Sequence, residues 1–77
     1  MLEQIIELIT NYVEVSAEEI NEDSRFIDDL GFNSYDFMSF LGEIEDEFDV
    51  EIPYMNFRRQ KTIGEAIDFV TDIIESE

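Results

Sequence analysis

The sequence predicts an all-α fold, a small four-helix bundle of three main helices and a short third helix, with a long loop between helices one and two. Three observations predict it. Apolar residues recur at helical spacing in three separate stretches, the pattern of one buried helix face. No alternating apolar pattern long enough for a sheet is present, and neither are internal repeats or low-complexity tracts. Gly31, Pro53 and the pair Thr62 and Glu65 fall between the periodic stretches, where turns and helix caps are needed.

In the first stretch, Leu2, Ile5, Ile6, Ile9, Tyr12 and Val13 share a face, which predicts a helix over about residues 3 to 14. Ser16 and Glu19 resemble a capping box, but the run they open is short and Asn21 to Ser24 reads as turn chemistry. The reading is a long loop with one helical turn, anchored by Ile20, Phe26, Ile27 and Leu30 inserting into the core beside Gly31. Helix two is predicted from Ser34 to about Phe48, with Phe37, Leu41, Ile44 and Phe48 inward. Pro53 ends an extended stretch from Val50, and residues 54 to 59 are read as a short, poorly capped third helix. Thr62 and Glu65 form a better capping box, which opens a last helix over residues 63 to 75.

With 77 residues, the chain is read as one domain, 1-77. Twenty-one acidic residues against Arg25, Arg58, Arg59 and Lys61 give a formal charge of −17. Such a surface does not suit nucleic acid, whose phosphates need clustered Lys and Arg, and it suits basic protein partners. Neither a signal peptide nor a stretch able to span a bilayer is seen, so a cytoplasmic monomer without membrane insertion is expected.

With no His and no Cys, a Ser-His or Cys-His dyad is impossible, and a transition-metal site would have to be built from carboxylates alone. Asp28 and Asp29 form one of many carboxylate pairs, most of which must be solvated charges. The acidic run from Glu45 to Glu51 lacks the Gly of a calcium loop and interleaves Phe48 and Val50. No catalytic residue and no metal site are predicted.

One segment stands apart: Asp29-Leu30-Gly31-Phe32-Asn33-Ser34-Tyr35-Asp36, where a Ser opens a helix after a Gly-containing loop. Taken alone, Ser34 reads as an N-cap. The segment resembles the attachment motif of the acyl carrier protein family, an acidic residue followed by Leu-Gly, a variable residue, then Asp-Ser-Leu-Asp or Asp-Ser-Leu-Glu. The resemblance continues through the acidic stretch that ends in Ile52-Pro53 and through Thr62 to Val70, so it covers nearly the whole chain. Asn33 stands in place of the usual Asp, and Tyr35 in place of the usual Leu. Arg58, Arg59 and Lys61 replace a commonly acidic segment, and Gly42 sits where a bulky side chain often faces partners.

The resemblance implies that Ser34 bears 4'-phosphopantetheine, placed there by a phosphopantetheinyl transferase. The chain would carry acyl thioesters for fatty-acid or polyketide-type synthesis, as a substrate of other enzymes and not an enzyme itself. It further implies docking to acyl-transferring and acyl-modifying enzymes with basic patches. On helix two, Tyr35, Met38 and Glu45, flanked by Asp36 and Asp46, are the candidate docking residues. Phe37, Leu41, Ile44 and Ile67 are candidate walls of an acyl shelter, unless Phe side chains fill that space. Two alternatives stay open: an aminoacyl or peptidyl carrier of a secondary pathway, and an unmodified acidic interaction module in which Ser34 is only a cap.

Overall fold

A computed structural model describes residues 1–76. Among them are four α-helices: α1 (Leu2–Ile9), α2 (Ser34–Phe48), α3 (Tyr54–Arg58) and α4 (Ile63–Ser76), with a single 3-10 turn at Ala17–Glu19 in the long loop after α1. The all-α reading with a long loop and a short third helix holds, and α2 has the predicted bounds.

The first helix is shorter than its apolar pattern predicts. After Ile9 the backbone tightens, with Asn11 N–H bonding the Leu8 carbonyl and Tyr12 N–H that of Ile9, both reaching back three residues where a continuing α-helix reaches back four. The Thr10 hydroxyl also bonds the Glu7 carbonyl at 2.6 Å, a local side-chain contact that competes with the helix ladder. Tyr12 and Val13 pack against the core from a turn, so apolar spacing outlasted the helix that it resembled.

Of the four predicted loop anchors, Ile20, Phe26 and Leu30 are buried, whereas Ile27 is 65% exposed. A tight backbone explains the difference. Asp29 and Leu30 N–H both bond the Arg25 carbonyl and Gly31 N–H bonds that of Ile27, so the segment curls into a turn that places Phe26 and Leu30 inward and Ile27 outward. Ser16 makes no side-chain cap; the 3-10 turn closes through Glu19 N–H to the Ser16 carbonyl.

The loop is stitched to the start of α4. Phe26 N–H bonds the Lys61 carbonyl and Ile63 N–H bonds the Ser24 carbonyl, both at 3.0 Å, which makes an isolated antiparallel bridge between Arg25 and Thr62. Gly64 N–H bonds the Glu22 carbonyl at 2.9 Å, and a Cβ at Gly64 would stand 3.2 Å from that oxygen, so a side chain there would press the loop away from the start of α4. The Thr62 and Glu65 capping box forms as predicted, and Glu65 also accepts from Lys61 N–H at 2.7 Å.

The centre is aromatic. Phe26, Phe40 and Phe57 are fully buried and linked in series, with ring centroids 6.0 Å apart from Phe26 to Phe40 and 6.1 Å from Phe40 to Phe57. Phe32 and Phe37 close the cluster at 5.3 and 5.2 Å from Phe26. Tilted and edge-on rings at these distances add roughly 0.5–1.5 kcal/mol per pair beyond area burial. Ile5, Ile9, Ile44, Ile63 and Val70 complete the packing from α1, α2 and α4.

Candidate functional site

The start of α2 is built by three consecutive residues with different tasks. Gly31 has φ +73°, a left-handed conformation that other residues adopt only with strain, and it turns the chain out of the loop. Phe32 then points inward, 3% exposed, and its N–H closes on the Phe26 carbonyl at 2.8 Å. Asn33 is extended, at φ −112° and ψ −179°, and its side-chain oxygen accepts from Asp36 N–H at 2.8 Å. The Asp36 carboxylate accepts in return from Asn33 N–H at 3.2 Å, which completes a reciprocal capping box.

Ser34 is therefore the first helical residue and not the N-cap. The cap falls one residue earlier because only Asn33 has the extended backbone that carries a side-chain oxygen over the third helical N–H. This leaves the Ser34 hydroxyl exposed and without a hydrogen bond among the described residues. The N–H groups of Ser34 and Tyr35 have no intrahelical acceptor, as at any helix start, and lie at the positive end of a 15-residue helix. The Tyr54 hydroxyl reaches the Ser34 carbonyl at 3.4 Å, which brings the start of α3 beside this turn.

The candidate docking residues divide into two groups. Tyr35, 76% exposed, and Met38, 60% exposed, stand free on α2, and Asp46 is exposed near its far end. Asp36 is engaged in the cap, and Glu45 is half-buried with its carboxylate accepting from Ile52 N–H at 2.8 Å, so each holds structure first. Exposed Ile27 and Met55 add apolar surface on the loop before α2 and on α3. At Gly42 a Cβ would meet nothing within 4 Å.

Among the described residues, the candidate shelter walls are packed into the core or against it. Phe37, Leu41 and Ile44 are core residues and Ile67 is half-buried, while Phe32, Phe40 and Phe57 occupy the interior beside them. Phe40 was within reach of the pattern, being three residues after Phe37; Phe32 and Phe57 lie outside any long periodic run. A cleft of about 250 Å³ does include Phe37, but its other walls are Phe26, Ile27, Arg25, Asp28, Arg58, Gln60 and Lys61, none of them predicted from sequence as a group.

The acidic pair Asp28 and Asp29 is organised by Arg25. The guanidinium stands 3.4 Å from each carboxylate, and the Asp29 carboxylate also accepts from Arg25 N–H at 2.8 Å. That backbone bond first, and the guanidinium second, hold the Asp29 carboxyl below the usual carboxylate range. A general acid needs the opposite shift. Among the described residues, no group of three or more acidic side chains is placed to hold a metal ion, and no helix is long and apolar enough to cross a membrane.

An exposed hydroxyl on the first turn of a capped helix is a place where an anionic ester can be attached and stabilised without rearranging the fold. The comparison with known proteins agrees with that geometry. Residues 3–70 match the family model of the phosphopantetheine attachment site. The chain belongs to the acyl carrier protein family. The acyl carrier protein of Syntrophus aciditrophicus is 43% identical over 68 residues, 88% of this chain and 85% of that one. That of Sulfurovum sp. (strain NBC37-1) is 33% identical over 73 residues, 95% of this chain and 97% of the other. The solved structure of the acyl carrier protein from Enterococcus faecalis superposes with a TM-score of 0.79 at 29% identity, covering 94% of this chain and 91% of that chain.

Members of the acyl carrier protein family are carriers and not enzymes, and phosphopantetheine is their covalent cofactor. The group supplies a thiol at its far end, which is how a chain without Cys takes part in thioester chemistry.

Proposed function

We propose that Ser34 is the residue that bears phosphopantetheine, and that the chain serves fatty-acid or polyketide-type synthesis. The observation that carries the assignment is the division of labour at the helix start: Asn33 does the capping, so Ser34 is on the first turn with a free hydroxyl. A transferase would supply base and magnesium. The Ser34 oxygen gives its proton to that base and bonds the phosphorus that carries the pantetheine arm, while the pyrophosphate bond of coenzyme A breaks and adenosine bisphosphate leaves. The helix start then receives the phosphodiester's charge next to two N–H groups without intrahelical partners.

The partners are the transferase and acyl-handling enzymes with basic docking patches. The net charge of −17 would draw them in by electrostatic steering, and Tyr35, Met38 and Asp46 are the exposed residues for them to meet. A monomeric, cytoplasmic carrier, a single domain throughout, fits this reading.

The test is intact mass after incubation with coenzyme A, magnesium and a broad-specificity transferase. One phosphopantetheine is expected on the wild-type chain and none on Ser34→Ala. Because Ser34 is not the cap, Ser34→Ala should keep helicity and melting temperature essentially unchanged. Addition to Ser39, or to the Ser34→Ala chain, would overturn the assignment.

A further inference from the structure

Three of the chain's four basic residues, Arg25, Arg58 and Lys61, line one cleft, in a protein with 21 acidic side chains. The cleft of about 250 Å³ has Phe26 and Phe37 at its base and exposed Ile27 along one wall. Arg25 is already engaged by Asp28 and Asp29. Arg58 and Lys61 are exposed and form no ion pair among the described residues. Glu65, the acid nearest in sequence to Lys61, is held by the Lys61 and Thr62 N–H groups as part of the α4 cap. Asp28 is the one acid lining the cleft, and it faces Arg25, so positive charge remains in excess there.

The cleft adjoins the attachment turn. Phe37 is three residues after Ser34 and hence on the same side of α2, about one turn along. Tyr54, whose hydroxyl reaches the Ser34 carbonyl, is one turn before Arg58 on α3. A group at the end of a flexible arm on Ser34 therefore has an apolar floor beside it, with two free cations at the rim. The aromatic core offers that group little alternative, since Phe26, Phe32, Phe37, Phe40 and Phe57 already occupy the interior.

We infer that this cleft holds a carboxylated acyl cargo on the protein's own arm, its methylenes on Phe26 and Phe37 and its free carboxylate between Arg58 and Lys61. The inference rests on attachment at Ser34 and deepens it by naming the class of acyl group. A charge-assisted contact from Arg is stronger than a neutral hydrogen bond, and the guanidinium fork matches the paired oxygens of a carboxylate. A plain acyl chain would satisfy the floor and leave both cations unmatched. The phosphodiester of the arm is fixed at the Ser34 oxygen, where the helix start already stabilises it.

The test uses the full chain loaded at Ser34 with matched groups: glutaryl against pentanoyl, and the free thiol form as reference. Intact mass comes first; failure to load at Ser34 would overturn the attachment reading, and the inference with it, before any cargo is compared. Given loading, two-dimensional amide spectra should show the glutaryl form, and not the pentanoyl form, shifting residues 25 to 28 and 58 to 61. Its thioester should also hydrolyse severalfold more slowly at neutral pH. Arg58→Gln with Lys61→Gln should erase both effects while leaving the melting temperature near wild type, since both side chains are exposed. Equal shifts from both acyl groups would overturn the proposal, as would shifts already complete in the free thiol form, which would assign the cations to the arm.

Discussion

The two ends of α2 are built on opposite plans. At its start, Asn33 and Asp36 cap each other's N–H groups, and an acid in the first turn suits the positive end of the helix dipole. At its finish, Glu45, Asp46, Glu47 and Asp49 crowd the negative end with no basic residue in the last turn. Asp49 there takes a left-handed conformation, φ 54°, where Gly is the usual choice. One end is locally optimal and displays the hydroxyl; the other carries strain and repulsion, offset by the buried Val50 and Ile52 and by the Glu45 contact to Ile52 N–H. Order is concentrated at the end that displays the Ser34 hydroxyl. The acidic end holds a charge density that local stability alone would not select.

The largest effect should come from breaking the well-built end. Asn33→Ala removes the cap and leaves Asp36 without its reciprocal partner, so it should cost about 1–2 kcal/mol in denaturant unfolding. Amide exchange should accelerate first in residues 34 to 37; faster exchange at 46 to 49 instead would show that the two ends are not independent.

Repairing the other end should give a gain of comparable kind. Asp49→Gly relieves the left-handed strain and removes one charge from the negative helix end, and should stabilise by about 1 kcal/mol. The charge part of that gain should shrink as salt rises from about 0.01 to about 0.15 M and the Debye length falls from about 30 to about 8 Å. A gain independent of salt would attribute all of it to the backbone.

Tyr12 belongs to neither end and serves as the reference between them. Its hydroxyl donates to the Glu43 carboxylate at 2.9 Å, and burial first, then that bond, push its pKa up to about 12 from 10. A raised pKa means that the folded state keeps a proton the unfolded chain has released. The contribution is therefore full below pH 10 and is lost as pH rises from 10 to about 12. Tyr12→Phe should cost about 0.5 kcal/mol at pH 7 and flatten the loss of stability across that alkaline window. An unchanged slope would place the responsible group elsewhere.

The smallest effect is expected of Asn33→Asp, since Asn and Asp cap about equally well and should differ by only about a few tenths of a kcal/mol. The added charge should instead raise the initial rate of phosphopantetheine addition by a generic transferase, with the gain fading as salt rises. Equal rates at every salt would show that the Asn at this position is a neutral replacement.

Most of this architecture was legible because it follows from local rules. Phe37, Leu41 and Ile44 announce α2 by spacing, and Thr62 with Glu65 announces α4 by reciprocal capping. What was not legible depended on choices between neighbours of similar chemistry. Asn33 and Ser34 are both good caps, and the decision came from the backbone after Gly31 and from Asp36 three residues beyond Asn33. Tyr12 and Val13 continue the spacing of α1, but their burial comes from a turn. Ile27 is as apolar as the buried Phe26 next to it, and only the curl of the 25 to 31 backbone separates their fates. The basic cleft was invisible for a different reason: Arg25 and Lys61 meet because residues 24 to 26 pair with residues 61 to 63, a contact between distant parts of the chain.

That pairing also sets a schedule for synthesis. Loop closure over so many residues costs entropy that only the finished packing repays, and the bonds Phe26 to Lys61 and Ile63 to Ser24 do not exist until the last helix has begun. A nascent chain halted before Thr62 has a complete Ser34 segment in sequence but lacks the backbone that fastens the loop in front of it. Ribosome-bound chains of increasing length should therefore acquire a protease-resistant 20 to 33 segment only once α4 has emerged, so the presentation of the hydroxyl is coupled to the arrival of that helix.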